Sequence, residues 1–258
     1  YLTLRDELIK NGENFATRSE IEVIVRLYSI YGPSFINRLR GMFAFLIYDK
    51  VEHKIMAGRD PFGIKPLYYR ETKDGIIFSS EMKAYLADSS YKGFGVDKTL
   101  LQHYMTFQYV TEPDTVTGDI SILPAGHYMT AGKGKEITCY YKAVFSPNKS
   151  LKYDDKKKAL REAVEKSVEA HLLSDVPVGA FLSSGIDSAI VTSVASKIQP
   201  GIKAFTVGFD VKGYCEIDDA EQIAQHLNIN HIKVKCNLKD FTDNYEKVIY
   251  HLDSPVAD

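Results

Sequence analysis

Phe181-Leu-Ser-Ser-Gly-Ile-Asp-Ser188 stands between a run of apolar residues and a segment with helical spacing. Residues 176–182 predict a short buried strand, and the later segment repeats apolar residues at helical intervals: Ile186, Ile190, Val191, Val194 and Ile198. The quoted stretch is therefore predicted to turn from a strand into a helix. Because the first N–H groups of a helix have no partner within it, such a turn favours the binding of an anion.

The side chains of this turn favour phosphate held together with a cation. Ser183, Ser184 and Ser188 offer hydroxyl donors, and Gly185 lets the backbone approach a ligand without a Cβ in the way. A carboxylate such as Asp187 repels phosphate unless a cation lies between them, and Mg²⁺ commonly bridges the two. The turn thus predicts a pyrophosphate site that uses Mg²⁺. The alternative is a serine-capped helix start without a ligand, and the residues alone leave both open.

The turn also resembles the pyrophosphate loop of a known enzyme family. Residues 183–188 are similar to the Ser-Gly-Gly-x-Asp-Ser loop of ATP-pyrophosphatases, and with their lead-in they resemble the glutamine-hydrolysing asparagine synthetase family. Further family signatures are matched in the family's order: Gly41-Met-Phe-Ala-Phe45, Arg59-Asp-Pro-Phe-Gly-Ile-Lys-Pro-Leu-Tyr68, Ser80-Glu-Met-Lys83, Leu123-Pro-Ala-Gly-His127 and Phe205-Thr-Val-Gly-Phe209. Ser184 departs from the pattern, because the family usually has glycine there, and its Cβ requires a negative φ.

The resemblance implies ATP-dependent synthesis of asparagine. In this family an aspartate β-carboxylate attacks the α-phosphorus of ATP to give β-aspartyl-AMP and pyrophosphate, and ammonia from glutamine then displaces AMP. Asp187 would hold Mg²⁺ through the pyrophosphate. The residues implied to bind ATP and pyrophosphate are Leu182, Ser183, Ser184, Gly185, Ile186, Asp187, Ser188 and Val207. The expected cofactors are ATP and Mg²⁺, and the expected substrates are the small molecules aspartate, glutamine and ATP.

The first part of the chain, residues 1–145, combines strand and helix signals that predict α+β layers. Strands are predicted at 42–48, 54–58, 67–69 and 76–78, and helices at 20–31, 80–86 and around 99–107. The resemblance implies a class II glutamine amidotransferase domain of the N-terminal-nucleophile type that lacks its N-terminal segment. The first residue is Tyr1 and not the cysteine nucleophile of such a domain, so no catalytic residue is assigned. This chain alone is not expected to hydrolyse glutamine.

One element of the glutamine site is expected in this first part. Thr17-Arg-Ser-Glu-Ile-Glu22 predicts a capping box, with Ser19 as the N-cap and Glu22 at position N3. Glu20 then lies in the first helical turn, where the family usually has an aspartate that contacts the α-amino group of glutamine. The resemblance therefore implies that Glu20 binds glutamine. The alternative is a carboxylate that is favoured there by the helix dipole.

The second part, residues 151–258, alternates strands with helices after a linker at 143–150. An amphipathic helix is predicted from Asp154, then strands at 178–182, 203–208 and 231–235 and helices at 187–198, 217–227 and 238–252. Such units form a parallel sheet that binds ligands at the carboxyl ends of its strands, so the predicted fold is α/β. The resemblance identifies this part as the start of an ATP-pyrophosphatase domain. The chain is expected to be a piece of a longer enzyme, lacking both ends.

Composition limits the partners and the location. A formal net charge of −2 without a long block of one sign favours neither nucleic acid nor a membrane as a partner. Three cysteines without metal-ligand spacing, Cys139, Cys215 and Cys236, predict reduced thiols in the cytoplasm. The resemblance further implies a homodimer. Two alternative functions stay open, namely an amidotransferase of the same superfamily that acts on another carboxylate, and a silent fragment that only binds nucleotide.

Overall fold

The computed structural model describes residues 1–93, 95–211 and 215–255. The chain forms two compact units, one of Tyr1–Phe145 with the described residues from Ile249 onward, and one of Ser146–Val248. The first unit combines helices with antiparallel sheets, and the second combines helices with a parallel sheet. The predicted arrangement of two units that contain both helices and strands is confirmed.

The first unit contains three complete α-helices and two antiparallel sheets in its described residues. Its helices are α1 (Leu2–Lys10), α2 (Glu20–Tyr31) and α3 (Lys98–Phe107), and two 3₁₀ helices span Gly32–Arg38 and Met82–Ala87. Its strands are β1 (Ala44–Asp49), β2 (Lys54–Arg59), β3 (Tyr68–Thr72), β4 (Gly75–Ser79), β5 (Ser121–Ile122), β6 (His127–Ala131) and β7 (Lys135–Cys139). The sheets have the orders β1-β2-β6-β7 and β4-β3-β5.

Two sequence predictions for this unit need correction. The helix predicted at 80–86 is the 3₁₀ helix Met82–Ala87. The strands β5, β6 and β7 were not predicted, although β6 lies inside the larger sheet and pairs with both β2 and β7. The other predicted helices and strands of this unit are confirmed to within a few residues at their ends.

Neighbouring residues of β2 belong to two different cores. Met56 packs with residues of α1, α2 and the 3₁₀ helix that follows them: Leu8, Val23, Leu27, Phe35 and Ile36. Ala57 packs with residues that lie in or beside both sheets: Leu67, Tyr69, Leu123 and Met129. Because successive strand residues point to opposite faces, one strand serves both cores.

The turn after β2 is organised around a buried carboxylate. Asp60 is 0% exposed and accepts three backbone N–H bonds, from Phe62 (3.1 Å), Ile64 (3.1 Å) and Lys65 (2.9 Å). Burial raises the pKa of Asp60, but these N–H bonds lower it more, so the pKa lies below its usual value. The ionised carboxylate therefore stabilises the turn.

We expect Asp60 to make the first unit sensitive to acid. Its pKa is lower in the folded state than the value of about 3.9 in an unfolded chain, so it stabilises the fold above that pH. This stabilisation is lost as the pH falls through the folded pKa. In urea titrations repeated from neutral pH down to about pH 3, stability should fall less steeply in Asp60→Asn than in the wild type.

The control for this experiment is Asp74→Asn, in the exposed turn between β3 and β4. We expect this variant to keep the pH dependence of the wild type. Equal pH dependence in all three proteins would mean that Asp60 is not a source of acid sensitivity.

The second unit is built around a parallel sheet of three strands in the order β10-β9-β8. Its elements are α4 (Tyr153–His171), β8 (Gly179–Phe181), α5 (Ile186–Ile198), β9 (Lys203–Phe209), α6 (Ile217–His226), β10 (Asn230–Cys236) and most of α7 (Leu238–Leu252), whose residues from Ile249 onward belong to the first unit. All of these were predicted in this order, with ends that agree to within two residues.

Two apolar clusters join this sheet to its helices. Small residues let α6 approach the sheet closely, since Ala220 and Ala224 pack on Ala204 of β9 and on Leu182. The second cluster consists of Val168 from α4, Ala195 from α5 and Ile202 before β9. The helices thereby fix the carboxyl end of β8, where the serine-rich turn begins.

Candidate functional site

The serine-rich turn lies between β8 and α5, as the sequence predicts. Leu182, directly after β8, is buried, whereas Ile186 and Asp187 in the first turn of α5 are exposed. Val207 lies in the neighbouring strand β9 and is half-exposed. The turn therefore faces solvent at the carboxyl end of a parallel strand, which is where such sheets bind ligands.

Two serine side chains tie the turn to the start of α5. The Ser183 and Ser188 hydroxyl oxygens are 2.8 Å apart, and Ser188 Oγ accepts the Ser183 N–H at 3.1 Å. The Gly185 N–H donates to Ser183 Oγ at 3.1 Å. These bonds hold the turn in one shape before a ligand binds, which reduces the ordering that binding requires.

The backbone of the turn explains its glycine and tolerates its extra serine. Gly185 has φ −72° and ψ 147°, which any residue can adopt, but a Cβ there would lie 3.1 Å from Ser183 Oγ. The close hydroxyl, and not the backbone angle, therefore favours glycine. Ser184 is not one of the non-glycine residues with positive φ. Its Cβ is therefore tolerated at a position where the family usually has glycine.

A carboxylate outside the predicted set also contacts the turn. Glu216, directly before α6, accepts the Ser184 N–H through Oε2 at 3.3 Å. A phosphate oxygen bound in the turn would compete for the same N–H. Glu216 was not predicted from the sequence because it lies 32 positions from Ser184 in the chain. The feature that could have indicated it is the position of Glu216 directly before α6, the helix that follows β9.

Asp187 offers a single carboxylate for a cation. In the part of the chain that the structure describes, no three His, Cys, Asp or Glu side chains lie close enough together to hold a metal ion. A cage made by the protein alone is therefore not formed there. A single exposed carboxylate would suit Mg²⁺ only if phosphate were bound in the turn, because Mg²⁺ usually keeps several waters and takes its other ligands from substrate phosphates.

An ion pair adds charge at the same end of the sheet. Lys235, near the carboxyl end of β10, lies 2.7 Å from Asp210, which directly follows β9. The hydrogen bond from Lys235 lowers the pKa of Asp210, and the bond to Asp210 raises the pKa of Lys235. Both side chains are therefore charged at neutral pH.

In the first unit, Glu20 lines a large open groove. The groove has a volume of about 1380 Å³, is lined by α2 and β1, and also includes the cationic residues Arg40 and Lys65. The lining also includes Asp49, Lys50, Glu52 and Lys54, so the groove presents charges of both signs, which suit a ligand that carries both an ammonium and a carboxylate group. None of the described cysteines lines this groove.

The predicted capping box before Glu20 is only half formed. Ser19 is the N-cap of α2, and its hydroxyl accepts the Ile21 N–H at 3.2 Å. Glu22 does not reach back to Ser19 but accepts the N–H groups of Ala16 (2.9 Å) and Thr17 (2.8 Å). Its contacts with the Thr17 hydroxyl and these N–H groups lower the pKa of Glu22. The segment before α2 is thus fixed by Glu22, and Glu20 is left to face the groove.

No helix among the described residues is long and apolar enough to cross a membrane. The cysteines Cys139, Cys215 and Cys236 form no disulfide with one another in the described structure.

Known proteins match both halves of the chain. Residues 1–142 match the family model of the glutamine amidotransferase domain, and residues 159–258 match the asparagine synthase model. Asparagine synthetase [glutamine-hydrolyzing] 1 of Bacillus subtilis is 40% identical over 100% of this chain. A putative asparagine synthetase [glutamine-hydrolyzing] of Mycobacterium tuberculosis is 37% identical over 100% of it, and asparagine synthetase B [glutamine-hydrolyzing] of Escherichia coli is 31% identical over 93%. The chain spans 41% of the length of each of these relatives.

The two matches define a glutamine amidotransferase domain followed by asparagine synthase sequence in one polypeptide. The chain therefore belongs to the family of glutamine-hydrolysing asparagine synthetases. The resemblance that the motifs of the sequence indicate is confirmed.

Proposed function

We propose that this chain is part of an enzyme that makes asparagine from aspartate, with ATP as the activating substrate and glutamine as the source of ammonia. The observation that carries the proposal is the serine-tied turn after β8, which combines the exposed start of α5 with the carboxylate of Asp187. Because the chain spans 41% of the length of its relatives, the activity is proposed for the gene product that contains it.

Each residue predicted to bind ATP or pyrophosphate has a proposed role. Leu182 and Val207 would contact the adenine and ribose, and Asp187 would hold Mg²⁺ on the pyrophosphate. The pyrophosphate would be bound by N–H and hydroxyl donors of five residues: Ser183, Ser184, Gly185, Ile186 and Ser188. Mg²⁺, when bound, would neutralise part of the phosphate charge.

The turn would act on the step that releases pyrophosphate. As the β-carboxylate of aspartate attacks the α-phosphorus of ATP, negative charge develops on the leaving pyrophosphate. N–H and hydroxyl donors that are already in place stabilise this charge without further ordering. The resulting β-aspartyl-AMP then reacts with ammonia, which displaces AMP and gives asparagine.

For the first unit we propose a glutamine amidotransferase domain over residues 1–145, of the N-terminal-nucleophile type and without its N-terminal segment. The packing of helices on one sheet and of that sheet on a second supports the layered assignment. Residues 151–258 would form the start of the ATP-pyrophosphatase domain. Glu20 would bind the α-amino group of glutamine.

The proposed setting follows from the family and from the thiols. Free cysteines suit a reducing compartment, so we place the enzyme in the cytoplasm. Its proposed partners are small molecules and, by analogy with the family, a second copy of the same protein.

The contact between Glu216 and the Ser184 N–H favours one alternative, a chain that binds nucleotide without performing chemistry. The Glu216 carboxylate accepts the Ser184 N–H, which a bound phosphate would need as a donor. Another alternative is a different carboxylate substrate, since none of the proposed roles is recognition of the aspartate side chain. Both alternatives are outcomes of the same experiment.

The experiment is ATP–pyrophosphate exchange by the full-length gene product, with and without L-aspartate. We expect exchange to require aspartate and to fall about a hundredfold in Asp187→Asn, because the charge on pyrophosphate is then no longer met by a bound cation. The matched control is Asp154→Asn, an exposed carboxylate in the first turn of α4, which should exchange like the wild type.

Other outcomes select the alternatives. No exchange with aspartate, but exchange when another carboxylate is supplied in its place, would identify a different acceptor. ATP binding without any exchange would identify a chain that binds nucleotide only.

A further inference from the structure

The pairing of β8 with β9 ends in a side-chain contact. The strands pair in parallel up to Phe181 and Phe205, and the Leu182 N–H then donates to the Phe205 carbonyl at 2.9 Å. The next rung of a parallel ladder would join the Leu182 carbonyl to the Val207 N–H. Instead, Thr206 Oγ1 lies 2.6 Å from the Leu182 carbonyl oxygen. The Thr206 hydroxyl therefore takes the place that the Val207 N–H would have.

The positions of the protons follow from the groups involved. Thr206 is 4% exposed, and its Oγ1 also lies 2.7 Å from His231 Nε2. A carbonyl only accepts, so the single hydroxyl proton of Thr206 lies on the bond to Leu182. His231 Nε2 must then carry a proton and donate it to Thr206 Oγ1. In the neutral ring this leaves a bare lone pair at Nδ1.

The surroundings of His231 favour this neutral ring. Its Nδ1 is buried and has no hydrogen-bond partner in the part of the molecule that the structure describes. A proton added there would be a buried donor without an acceptor. Burial lowers the pKa of His231 most, Lys233 lowers it further, and Glu221 raises it in part. The bonds therefore run in one direction, from His231 through Thr206 to Leu182.

We propose that Thr206 and His231 are positioning residues of the nucleotide site: they hold the Leu182 carbonyl and leave the Val207 N–H to the adenine ring of ATP. Alternate N–H groups of a strand point toward the same neighbour, so the N–H of Val207 points to the side of β8, past the end of that strand. Val207 is 50% exposed there. Adenine has ring nitrogens that accept a hydrogen bond from such a donor.

This inference rests on the proposed function, because it takes ATP as the ligand. The test is equilibrium binding of ATP to the full-length gene product. Thr206→Val removes the hydroxyl and keeps the shape, and it should weaken ATP binding about tenfold, the value of one good hydrogen bond. Thr206→Ser keeps the hydroxyl and should bind ATP like the wild type. His231→Phe should weaken binding by a smaller factor, because Thr206 keeps its bond to Leu182 without the support of the ring.

The matched control is His226→Phe, at an exposed position at the end of α6, which should leave ATP binding unchanged. Thermal unfolding of each variant shows whether it is folded. Nitrogen NMR of histidine-labelled protein should show His231 as the neutral tautomer with its proton on Nε2. A purely structural role of His231 in packing would not require the proton to be on Nε2.

Two results would overturn the inference. One is unchanged ATP affinity in a folded Thr206→Val variant, and the other is a proton on Nδ1 of the neutral His231 ring. A wild-type protein that binds no ATP would instead refute the proposed function, and the tautomer would still decide whether the bonds run from His231 to Leu182.

Discussion

Replacing Arg59 with methionine is expected to destabilise the first unit by about 2–4 kcal/mol, mainly because backbone carbonyls around the buried guanidinium lose their donor. The Arg59 side chain is 5% exposed, and its Nη1 lies 2.7 Å from Glu112 Oε1. Methionine fills a similar volume but provides no donor. The Glu112 carboxylate would then keep its place beside the turn without the cation that neutralises it.

The guanidinium also satisfies backbone groups that have come together from distant parts of the chain. Its Nη1 donates to the Leu123 carbonyl at 2.6 Å, its Nη2 to Gly63 at 2.7 Å and its Nε to Lys65 at 2.9 Å. A buried carbonyl that loses its donor costs free energy in addition to the lost ion pair. The effect should therefore exceed that of removing an ordinary surface arginine.

Arg26→Met provides the comparison. Its side chain is 43% exposed, and its pairs with Glu13 and Glu22 are long, at 3.8 and 3.9 Å. Exposed pairs of this kind contribute about 0–1 kcal/mol. Hydrogen exchange at increasing urea, followed in peptides from β2 and β3, measures both variants. If Arg59→Met lost no more stability than Arg26→Met, the network around Arg59 would not be a major source of stability.

The sequence predicted the second unit almost completely because its local patterns agree with its tertiary structure. β8 and β9 are short, mainly apolar runs, β10 alternates apolar with polar residues, and the helices repeat apolar residues at helical intervals, so periodicity separates strands from helices. The parallel order then follows from the alternation of strands and helices. The end of β9 is an example, since the prediction of 203–208 differs from the observed Lys203–Phe209 by one residue.

The first unit was harder because its strands do not share one pattern. β7 consists of Lys135-Glu-Ile-Thr-Cys139 at the edge of its sheet, where polar and exposed residues outnumber buried ones. β6 is paired on both sides, but only Met129 of its five residues is fully buried. The glycines of the turn between β6 and β7 were the missed signal for a hairpin.

For the site, the sequence predicted the turn but not its partners. Residues 183–188 are contiguous, so their chemistry can be inferred from neighbours in the chain. The contacts of Ser184 with Glu216 and of Thr206 with His231 join residues 32 and 25 positions apart. Such contacts depend on how β8, β9 and β10 align, and no local pattern specifies that alignment.

Gly126→Ala is expected to destabilise the first unit by about 3 kcal/mol, from two effects that add. Gly126 has φ +68°, a conformation in which a Cβ is strained by about 1–2 kcal/mol. A Cβ would also lie against the Tyr141 carbonyl oxygen, well inside van der Waals contact. Since that oxygen belongs to the backbone, it cannot move aside as a flexible side chain can.

The same glycine joins two parts of the first unit, so the strain cannot be relieved locally. The Gly126 N–H donates to the Asp60 carbonyl at 2.9 Å, and its own carbonyl accepts the N–H groups of Tyr140 (2.9 Å) and Tyr141 (3.1 Å). The Tyr140 hydroxyl in turn donates to the Arg59 carbonyl at 2.7 Å. A shift at Gly126 would thus disturb the turn that Arg59 and Asp60 organise, which gives a physical reason for glycine in this signature.

Gly134→Ala is the control for this substitution, because a Cβ there meets nothing within 4 Å and the residue does not have a positive φ. Its stability should stay within about 0.5 kcal/mol of the wild type. Urea-dependent hydrogen exchange in β2 and β6 compares the two variants. A Gly126→Ala variant as stable as Gly134→Ala would mean that the turn can rearrange around a Cβ. The bonds to Asp60 and Tyr140 would then not be what holds the turn after β2 against the start of β6.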